Sequence, residues 1–375
     1  MLNLFKEFNF SKSKFIFFKK IYSAFEIYNK IILLSKKIDN KKKGVVSLFS
    51  NNKIDFIIKF YALNKSGFQI YLNDNNSKRS ILDEKIDINY YFKNNNLIKL
   101  NSFKSNYINK NLIILKTSGS TNMNKYVHLT QNNISYVCAM MNKEMFKKNK
   151  VDNELIFAPL NHAFAFGRMH SLIKSKNSFS IPDYLSFSNF FNIFEKSNNI
   201  TALSITSGFF TKLLKLDFKK TKKILKKINY IQLSSGYFPL NLRKKILKLK
   251  TNLFINYGMT EAMRSTFLNC MKYRNKIHTE GRPFAGIKVK ILKSKKSTKG
   301  EIMIKGKNLA KCYSNSKEWN SRIIDGWFKT GDLGTLDKDN FLIYSNRISD
   351  NLNINDINYS KSSIENLIQN KFKTS

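Results

Sequence analysis

Apolar residues fall at alternating helical and strand-like spacings along the first part of the chain. Over 23–38 they recur at near-helical spacing, and over 44–49 the run GVVSLF is typical of a short buried strand. A second helical pattern over 54–63 ends at Ser66-Gly67, and the run FQIYL at 68–72 is β-like. Helices that alternate with strands predict an α/β fold, in which crossover helices connect the strands of a parallel sheet.

Short apolar runs continue this pattern at 112–115, 155–157, 230–233 and 253–255, each followed closely by Gly, Ser, Pro or Asn. In a parallel sheet of this kind, the functional residues lie at the carboxyl ends of the strands. Beyond Gly286 the runs at 287–292, 300–304 and 340–344 are short and separated by turns, which predicts antiparallel strands. The sequence therefore predicts parallel sheets with packed helices, plus a small β subdomain.

The composition indicates a folded protein without membrane spans. Of the 375 residues, 42% are hydrophobic and 14% aromatic, which is enough apolar surface to form a core. No apolar run approaches the roughly 18 residues that a membrane span needs. Lysines also interrupt the apolar residues near the start, where a secretory signal would be continuous. We therefore expect a cytoplasmic protein without a transmembrane segment.

The charge is strongly basic, with 66 Lys and Arg against 25 Asp and Glu and a formal net charge of +41. Such an excess is typical of proteins that bind nucleic acid or anionic membranes. Here the basic residues are mostly Lys and are spread from Lys6 to Lys373 among abundant Asn and Ile, which favours a composition bias over a phosphate-binding stripe. We expect no specific nucleic-acid partner. The three Cys and four His have no spacing typical of a zinc site or a disulfide framework.

A hydroxyl-rich segment follows the apolar run at 112–115 and ends in a cation. Its sequence, KTSGSTNMNK at 116–125, offers hydroxyl and backbone donors, a glycine that allows close approach, and the ammonium group of Lys125. Such a segment could form a nest for phosphate groups. The GxxxxGK[ST] spacing of a Walker A loop is missing. An ordinary polar turn after a strand is the alternative that the segment alone leaves open.

The same segment opens a series of five motifs that resembles the adenylate-forming enzymes, namely the acyl-CoA synthetases, luciferases and peptide-synthetase adenylation domains. The motifs follow the family's order: KTSGST with KYV and LTQNN at 116–133, APLNH at 158–162, SSG at 234–236, NYGMTEA at 256–262 and GWFKTGDLG at 326–334. The resemblance covers about 20–368. It implies an N-terminal AMP-binding domain over 1–345, with the β subdomain at about 286–345. Over 346–375 it implies a hinge and the truncated start of a C-terminal domain.

The resemblance also implies the residues of the site. Thr260, Glu261 and Lys125 would be catalytic, and Glu261 would in addition hold Mg²⁺ as a hard oxygen ligand. The acid substrate would contact His162 and Phe164. The nucleotide, ATP, would be bound by Thr117, Ser118, Gly119, Ser120, Thr121, Ser235, Gly236, Asn256, Tyr257, Gly258, Asp332 and Arg347.

The family's reaction joins a carboxylate to the α-phosphorus of ATP and releases pyrophosphate, after which a thiol of CoA or phosphopantetheine accepts the acyl group. The implied partners are a small carboxylic acid and either an acyl carrier protein or a separate C-terminal domain. A lysine of the family's C-terminal domain bridges carboxylate and phosphate, and no residue of this sequence matches it. The alternative is therefore a catalytically impaired nucleotide-binding or regulatory protein derived from this family.

Several single residues have a simpler interpretation that the sequence leaves open. Glu261 could be a solvated carboxylate at the start of a helix, and Asp332 could be an ordinary turn residue. Arg347 could be a surface side chain, and His162 could be a hydrogen-bonded histidine beside a core strand. Asn124 stands where the family usually has Pro, which removes a rigid turn from the phosphate segment.

Overall fold

The structure, a computed structural model, describes residues 14–17, 20–38, 44–74, 86, 88–93, 96–100, 112–118, 124–146, 153–293, 299–354 and 357–360. Within these ranges the backbone forms four sheets and nine α-helices. The helices are α1 Ala24–Lys37, α2 Lys53–Lys65, α3 Gln131–Met145, α4 Ala163–Lys174, α5 Phe187–Lys196, α6 Ser207–Leu216, α7 Phe218–Leu225, α8 Leu240–Leu247 and α9 Ser316–Ser321.

Twenty-three strands make up the four sheets. They are β1 Lys14–Phe17, β2 Lys20–Ser23, β3 Val45–Leu48, β4 Gln69–Leu72, β5 Ile88–Lys93, β6 Asn96–Lys99, β7 Leu112–Ser118, β8 Asn124–Thr130, β9 Glu154–Phe157, β10 Phe179–Ile181, β11 Ala202–Thr206, β12 Tyr230–Ser234, β13 Asn252–Ile255, β14 Thr266–Asn269, β15 Arg282–Pro283, β16 Ile287–Lys293, β17 Gly300–Gly306, β18 Cys312–Tyr313, β19 Ile323–Ile324, β20 Trp327–Leu336, β21 Leu342–Arg347, β22 Asn351–Ile354 and β23 Ile357–Ser360.

Two large mixed sheets have a parallel centre. The nine-stranded sheet has the order β15-β14-β13-β12-β11-β9-β10-β1-β2, and its strands from β13 to β1 run parallel. The seven-stranded sheet has the order β18-β8-β7-β4-β3-β5-β6, with β7, β4, β3 and β5 parallel. The predicted α/β fold with parallel sheets and packed helices is therefore confirmed.

Helices cover both faces of the nine-stranded sheet, which explains why its strands are mostly apolar on both faces. The exceptions Glu154, Ser204 and Gln232 are buried and hydrogen-bonded to one another. Successive side chains of a strand point to opposite faces. In β9, Ile156 belongs to a core that α1 to α4 share with the seven-stranded sheet, whereas Leu155 and Phe157 belong to a second core beneath α5 to α8. Both faces of this strand are therefore anchored, and its carboxyl end is held in place.

A smaller antiparallel sheet follows Gly286. Its order is β16-β17-β20-β19, with β21 paired to β20, and β22 and β23 form a separate hairpin. The strands predicted over 287–292, 300–304 and 340–344 correspond to β16, β17 and β21. The structure adds β20, which carries the GWFKTGDLG motif at its centre. The domain boundary at 345 stays a prediction. Within the described ranges, no helix is both long and apolar enough to cross a lipid bilayer.

Candidate active site

A cavity of about 830 Å³ lies where the three larger sheets meet. It is lined by residues of β7 and β8, by the segments that follow β12 and β13, and by β20 and β21. The cavity therefore lies at the carboxyl ends of parallel strands, where the sequence predicts a site. It brings together every predicted site residue whose side chain the structure describes: Thr117, Lys125, His162, Phe164, Ser235, Gly236, Asn256, Tyr257, Gly258, Thr260, Glu261, Asp332 and Arg347. Ser118 lies in β7, but its side chain and residues 119–121 are outside the described part of the chain.

Residues 259–262 form a tight turn that carries Thr260 and Glu261 at the cavity wall. Two backbone hydrogen bonds of 3.2 Å close the turn, each joining the N–H of one end residue to the carbonyl of the other. The glycine before the turn is required, because a Cβ at Gly258 would lie 2.5 Å from the backbone nitrogen of Arg264. The NYGMTEA motif thus has a steric reason: only glycine lets the chain fold back on itself here.

The carboxylate of Glu261 is buried and accepts a hydrogen bond from the Tyr313 hydroxyl, with 2.7 Å between the two oxygens. The backbone is fixed as well, because the Ala310 N–H donates to the Glu261 carbonyl at 2.8 Å. Burial and the nearby Glu261 carboxylate raise the pKa of Tyr313, so its hydroxyl stays a donor at neutral pH. No helix begins at Glu261. The alternative of a solvated carboxylate at a helix start is therefore wrong.

Lys125, on β8, has its ammonium group buried against residues 312–321, which we call the capping segment. Its Nζ lies 2.5 Å from Oε1 of Glu318 and 5.6 Å from the ring centroid of Tyr313. Asn315 caps α9 by accepting a hydrogen bond from the Glu318 N–H, which holds this carboxylate in the first turn. The capping segment thus neutralises Lys125 through Glu318 and contacts Glu261 through Tyr313.

Asp332 stands at the centre of a buried hydrogen-bonded group on β20. Its Oδ2 accepts from the Tyr257 hydroxyl at 2.8 Å, and its Oδ1 lies 3.0 Å from the Nε of Arg347. Burial raises the pKa of the Asp332 carboxyl above its ordinary value, although Arg347 and Tyr257 act in the opposite direction. Asp332 lies within a strand, next to Gly331 with a φ of 78°, and is not an ordinary turn residue. Its contact with Arg347 shows that this arginine is not an isolated surface side chain.

Two residues with positive φ shape the loop that follows β12. Ser235 has a φ of 61° and Gly236 a φ of 138°, and both line the cavity. Asn256, after β13, is held by internal contacts: its Oδ1 accepts from Gln232 at 2.9 Å, and its Nδ2 donates to the Thr266 carbonyl at 3.1 Å. The Asn256 side chain therefore positions this part of the wall, and its amide is already engaged.

A third group of lining residues surrounds the first turn of α4. His162 is the N-cap residue of α4 without a capping side-chain hydrogen bond, and burial lowers the pKa of its imidazole. Phe164, two residues after His162, is buried. The structure adds Arg264 to this group: its Nη2 donates to the Phe164 carbonyl at 2.5 Å. We call His162, Ala163, Phe164, Met263 and Arg264 the acyl side of the cavity, after the role that the resemblance implies for His162 and Phe164.

Sequence reasoning did not identify Glu318, Tyr313 or Arg264. Glu318 and Tyr313 contact the lining residues Lys125 and Glu261 because β18 pairs with β8. The local sequence does not predict that pairing. Arg264 could have been chosen as a candidate from the sequence, because it is a single charged residue between Ala262-Met263 and the strand β14. A charge inside an otherwise apolar or hydroxyl-bearing run is worth testing as a site residue.

Comparison with known proteins adds to this geometry. The family model described as AMP-binding enzyme matches residues 108–314. The chain belongs to this family, which confirms the resemblance to adenylate-forming enzymes. The matched range contains the phosphate segment, the turn at 259–262 and most of the cavity wall, whereas Asp332 and Arg347 lie beyond it.

The relatives with assigned activities include two bacterial 2-succinylbenzoate–CoA ligases. The enzyme of Lactococcus lactis is 28% identical over 241 residues, which are 64% of this chain and 50% of that protein. The enzyme of Bacillus subtilis is 26% identical over 326 residues, which are 82% of this chain and 64% of that protein. The chain thus spans about half to two thirds of the length of these curated relatives.

Solved structures share the fold. The o-succinylbenzoate CoA synthetase of Bacillus subtilis, in complex with its acyl-adenylate intermediate, superposes with a TM-score of 0.80 at 18% identity, over 99% of this chain and 83% of that one. The N-terminal domain of FACL13 from Mycobacterium tuberculosis gives a TM-score of 0.76 at 15% identity, over 92% of this chain and 100% of that one. At such identities the likeness establishes the fold.

Proposed function

We propose that the chain binds ATP with Mg²⁺ in this cavity and activates a carboxylic acid as an acyl-adenylate. A carboxylate oxygen of the acid forms a bond to the α-phosphorus, the bond from that phosphorus to the bridging oxygen breaks, and pyrophosphate leaves. The observation that carries this proposal is that one cavity collects Lys125, the turn with Thr260 and Glu261, and the carboxylate of Asp332. These are the cation, the hard oxygen ligand and the hydroxyl acceptor that a nucleoside triphosphate requires.

The roles follow from the contacts. Asp332 would accept hydrogen bonds from the ribose hydroxyls, with Arg347 holding the carboxylate ionised and oriented. Thr260, at the tip of the turn, would donate to the α-phosphate, and Lys125 would exchange Glu318 for the β- and γ-phosphates. Thr117 and residues 118–121 would complete the phosphate site.

Glu261 is the candidate for holding Mg²⁺. Its Oε1 is taken by Tyr313, which orients the carboxylate and leaves the other oxygen for a metal. Among the described residues no group of three or more His, Cys, Asp or Glu could hold a metal ion alone. This fits Mg²⁺, which keeps several waters and is typically bound by one or two carboxylates together with substrate phosphates. When bound, Mg²⁺ would neutralise charge on the phosphate oxygens.

The names of the relatives indicate which acid and which acyl acceptor to test first. Because those proteins are named 2-succinylbenzoate–CoA ligases, 2-succinylbenzoate is the first acid to test and CoA the first thiol. A phosphopantetheine thiol on an acyl carrier protein is the second choice. A separate chain that supplies a C-terminal domain would be the partner if adenylation needs a lysine from such a domain.

The test is pyrophosphate release from ATP and Mg²⁺ against a panel of carboxylic acids, with and without cell extract. We expect Glu261→Gln to lower Mg²⁺-dependent release by about 100-fold or more, the order found when one charge-stabilising group is removed from an active site. Glu195→Gln, which alters an exposed ion pair with Lys220, is the matched control and should change little. Binding of ATP without release under any of these conditions would instead support the catalytically impaired protein.

A further inference from the structure

Arg264 is a buried guanidinium group without a carboxylate partner. Only 4% of the residue is exposed, and its Nη2 donates to a backbone carbonyl, that of Phe164. Its Nε is buried without a hydrogen-bond partner, and no acidic side chain among the described residues forms an ion pair with it. Two other buried arginines behave differently: Arg168 is paired with Glu154 at 2.5 Å and Arg243 with Glu280 at 2.6 Å.

The guanidinium is charged despite its burial. Burial lowers the pKa of Arg264 to about 10, which is still far enough above neutral pH to keep the group protonated. The Phe164 carbonyl and the Phe164 ring, whose centroid is 5.3 Å from Cζ of Arg264, compensate this charge only in part. A buried charge without full compensation opposes folding, because the lost water is not fully replaced. The structure therefore carries a cost at Arg264 that an anion in the cavity would relieve.

Two features of the backbone show that this position is built for the side chain. Arg264 has a φ of 34°, in the left-handed region that residues with a Cβ rarely adopt. On α4, a Cβ at Gly167 would lie 2.6 Å from Nη1 of Arg264 and 2.8 Å from Cε of Met263. The helix thus lacks a side chain where the guanidinium lies. Strain and a tailored gap beside a cavity are features of functional positions.

We propose that Arg264 binds a second anionic group of the acid substrate, so that the preferred substrate is a dicarboxylic acid and not a monocarboxylic one. This inference rests on the proposed function, because the first carboxylate is the one that reacts with ATP. Arg264 lines the acyl side together with His162 and Phe164, where the unreactive part of the acid would lie. A planar guanidinium suits a carboxylate because two parallel N–H groups can donate to its two oxygens. Arg264 is a specificity-determining residue in this proposal, since it contacts the acid and not the reacting atoms.

The experiment compares matched acids that differ by one carboxylate: 2-succinylbenzoate with benzoylpropionate, and phthalate with benzoate. The readout is the ratio of kcat/KM for the diacid to that for the monoacid, from pyrophosphate release. In the wild type we expect a ratio of about 30 or more for at least one pair, in the range of hydrogen bonds to charged groups. Arg264→Met should bring that ratio to about one, and Arg264→Lys should restore part of it. Arg274→Met, an exposed arginine of similar size, is the control and should leave the ratio unchanged.

The outcomes separate this inference from the proposed function. If the wild type treats both members of each pair alike, or if Arg264→Met leaves the ratio unchanged, the role of Arg264 is wrong while acid activation stands. If no acid supports pyrophosphate release, the proposed function is wrong, and calorimetric binding of the same pairs without ATP decides about Arg264. If Arg264→Met does not fold, Arg264→Lys decides: a ratio equal to that of the wild type in this variant, or a wild-type ratio near one, would show that Arg264 does not recognise a second carboxylate.

Discussion

The two sides of the cavity treat their charges differently. On the nucleotide side, Lys125 is paired with Glu318, and Asp332 is paired with Arg347. On the acyl side, Arg264 has no carboxylate partner among the described residues. The charges of Lys125 and Asp332 are thus paired before any ligand arrives, whereas the charge of Arg264 is not.

This difference separates two modes of binding. A phosphate group that binds Lys125 must replace Glu318, so that its affinity depends on how much better the new contacts are than the old one. An anion that binds Arg264 displaces no carboxylate of the described residues, so that the new ion pair is opposed mainly by the water that the anion gives up. We therefore expect changes on the nucleotide side to affect all acids alike, and changes on the acyl side to discriminate between acids.

The largest expected effect on the nucleotide side comes from Asp332→Ala. The substitution removes the acceptor of two donors and leaves Arg347 and the buried Tyr257 hydroxyl unpaired. Hydrogen bonds to charged groups are worth about 1.5–3 kcal/mol each, so that ATP affinity should fall about 30-fold or more. Calorimetric titration with ATP measures it, and Asp339→Ala, at a more exposed ion pair, is the control. If the loss of ATP affinity differed between acids, the distinction drawn between the nucleotide side and the acyl side would be wrong.

A smaller effect is expected from pH. Because burial raises the pKa of Asp332, this carboxyl takes up a proton at a higher pH than the roughly 3.9 of an ordinary Asp. Protonation removes an acceptor for ribose, so ATP affinity should fall with pH below that raised pKa, by at most about tenfold per pH unit. Titrations from about pH 8 down to the lowest pH at which the protein stays folded would measure this decrease.

Asp332→Asn provides the control for the pH dependence, because the amide does not titrate in this range. The decrease in ATP affinity with falling pH should be absent or much reduced in this variant. An unchanged pH dependence would assign the proton to another group of the site, such as His162, and would contradict the role given to Asp332.

The smallest effect is expected from Glu318→Gln, which releases Lys125 from its partner. The Glu318 side chain is 34% exposed, and partly exposed ion pairs are typically worth only about 0.2–1 kcal/mol. ATP should therefore bind up to about fivefold more tightly, because less must be given up when Lys125 turns to the phosphates. Glu144→Gln, an exposed change on α3, is the control. Weaker binding of ATP would mean that Glu318 positions Lys125 and does not compete with the phosphates for it.

The sequence predicted those features that repeat along the chain. The spacing of Phe25, Tyr28 and Ile31 placed α1. The apolar runs placed β3, β4, β9, β12 and β13, because a strand covered on both faces is mostly apolar. The order of five motifs located the cavity wall, since each motif follows a strand or a turn of the same site.

Contacts between distant segments could not be predicted in this way. Glu318 meets Lys125 because β18 pairs with β8, and that pairing depends on how the chain returns from the small sheet. The role of Gly167 could not be predicted either, because nothing in the sequence around it shows why this position in a helix needs a glycine. The glycine is explained by the Arg264 side chain, which lies against this position.

The fit of Gly167 against Arg264 constrains how the sequence can change over evolutionary time. Any larger residue at 167 would displace the guanidinium, and a neutral, smaller residue at 264 would leave only the flexible end of the Met263 side chain in its way. The two positions should therefore vary together among homologous sequences, glycine accompanying arginine and larger residues accompanying uncharged ones. A homologue that changes its acid substrate would pass through a variant with only one of the two substitutions, which binds neither acid well. Specificity on the acyl side should therefore change by paired substitutions at 167 and 264.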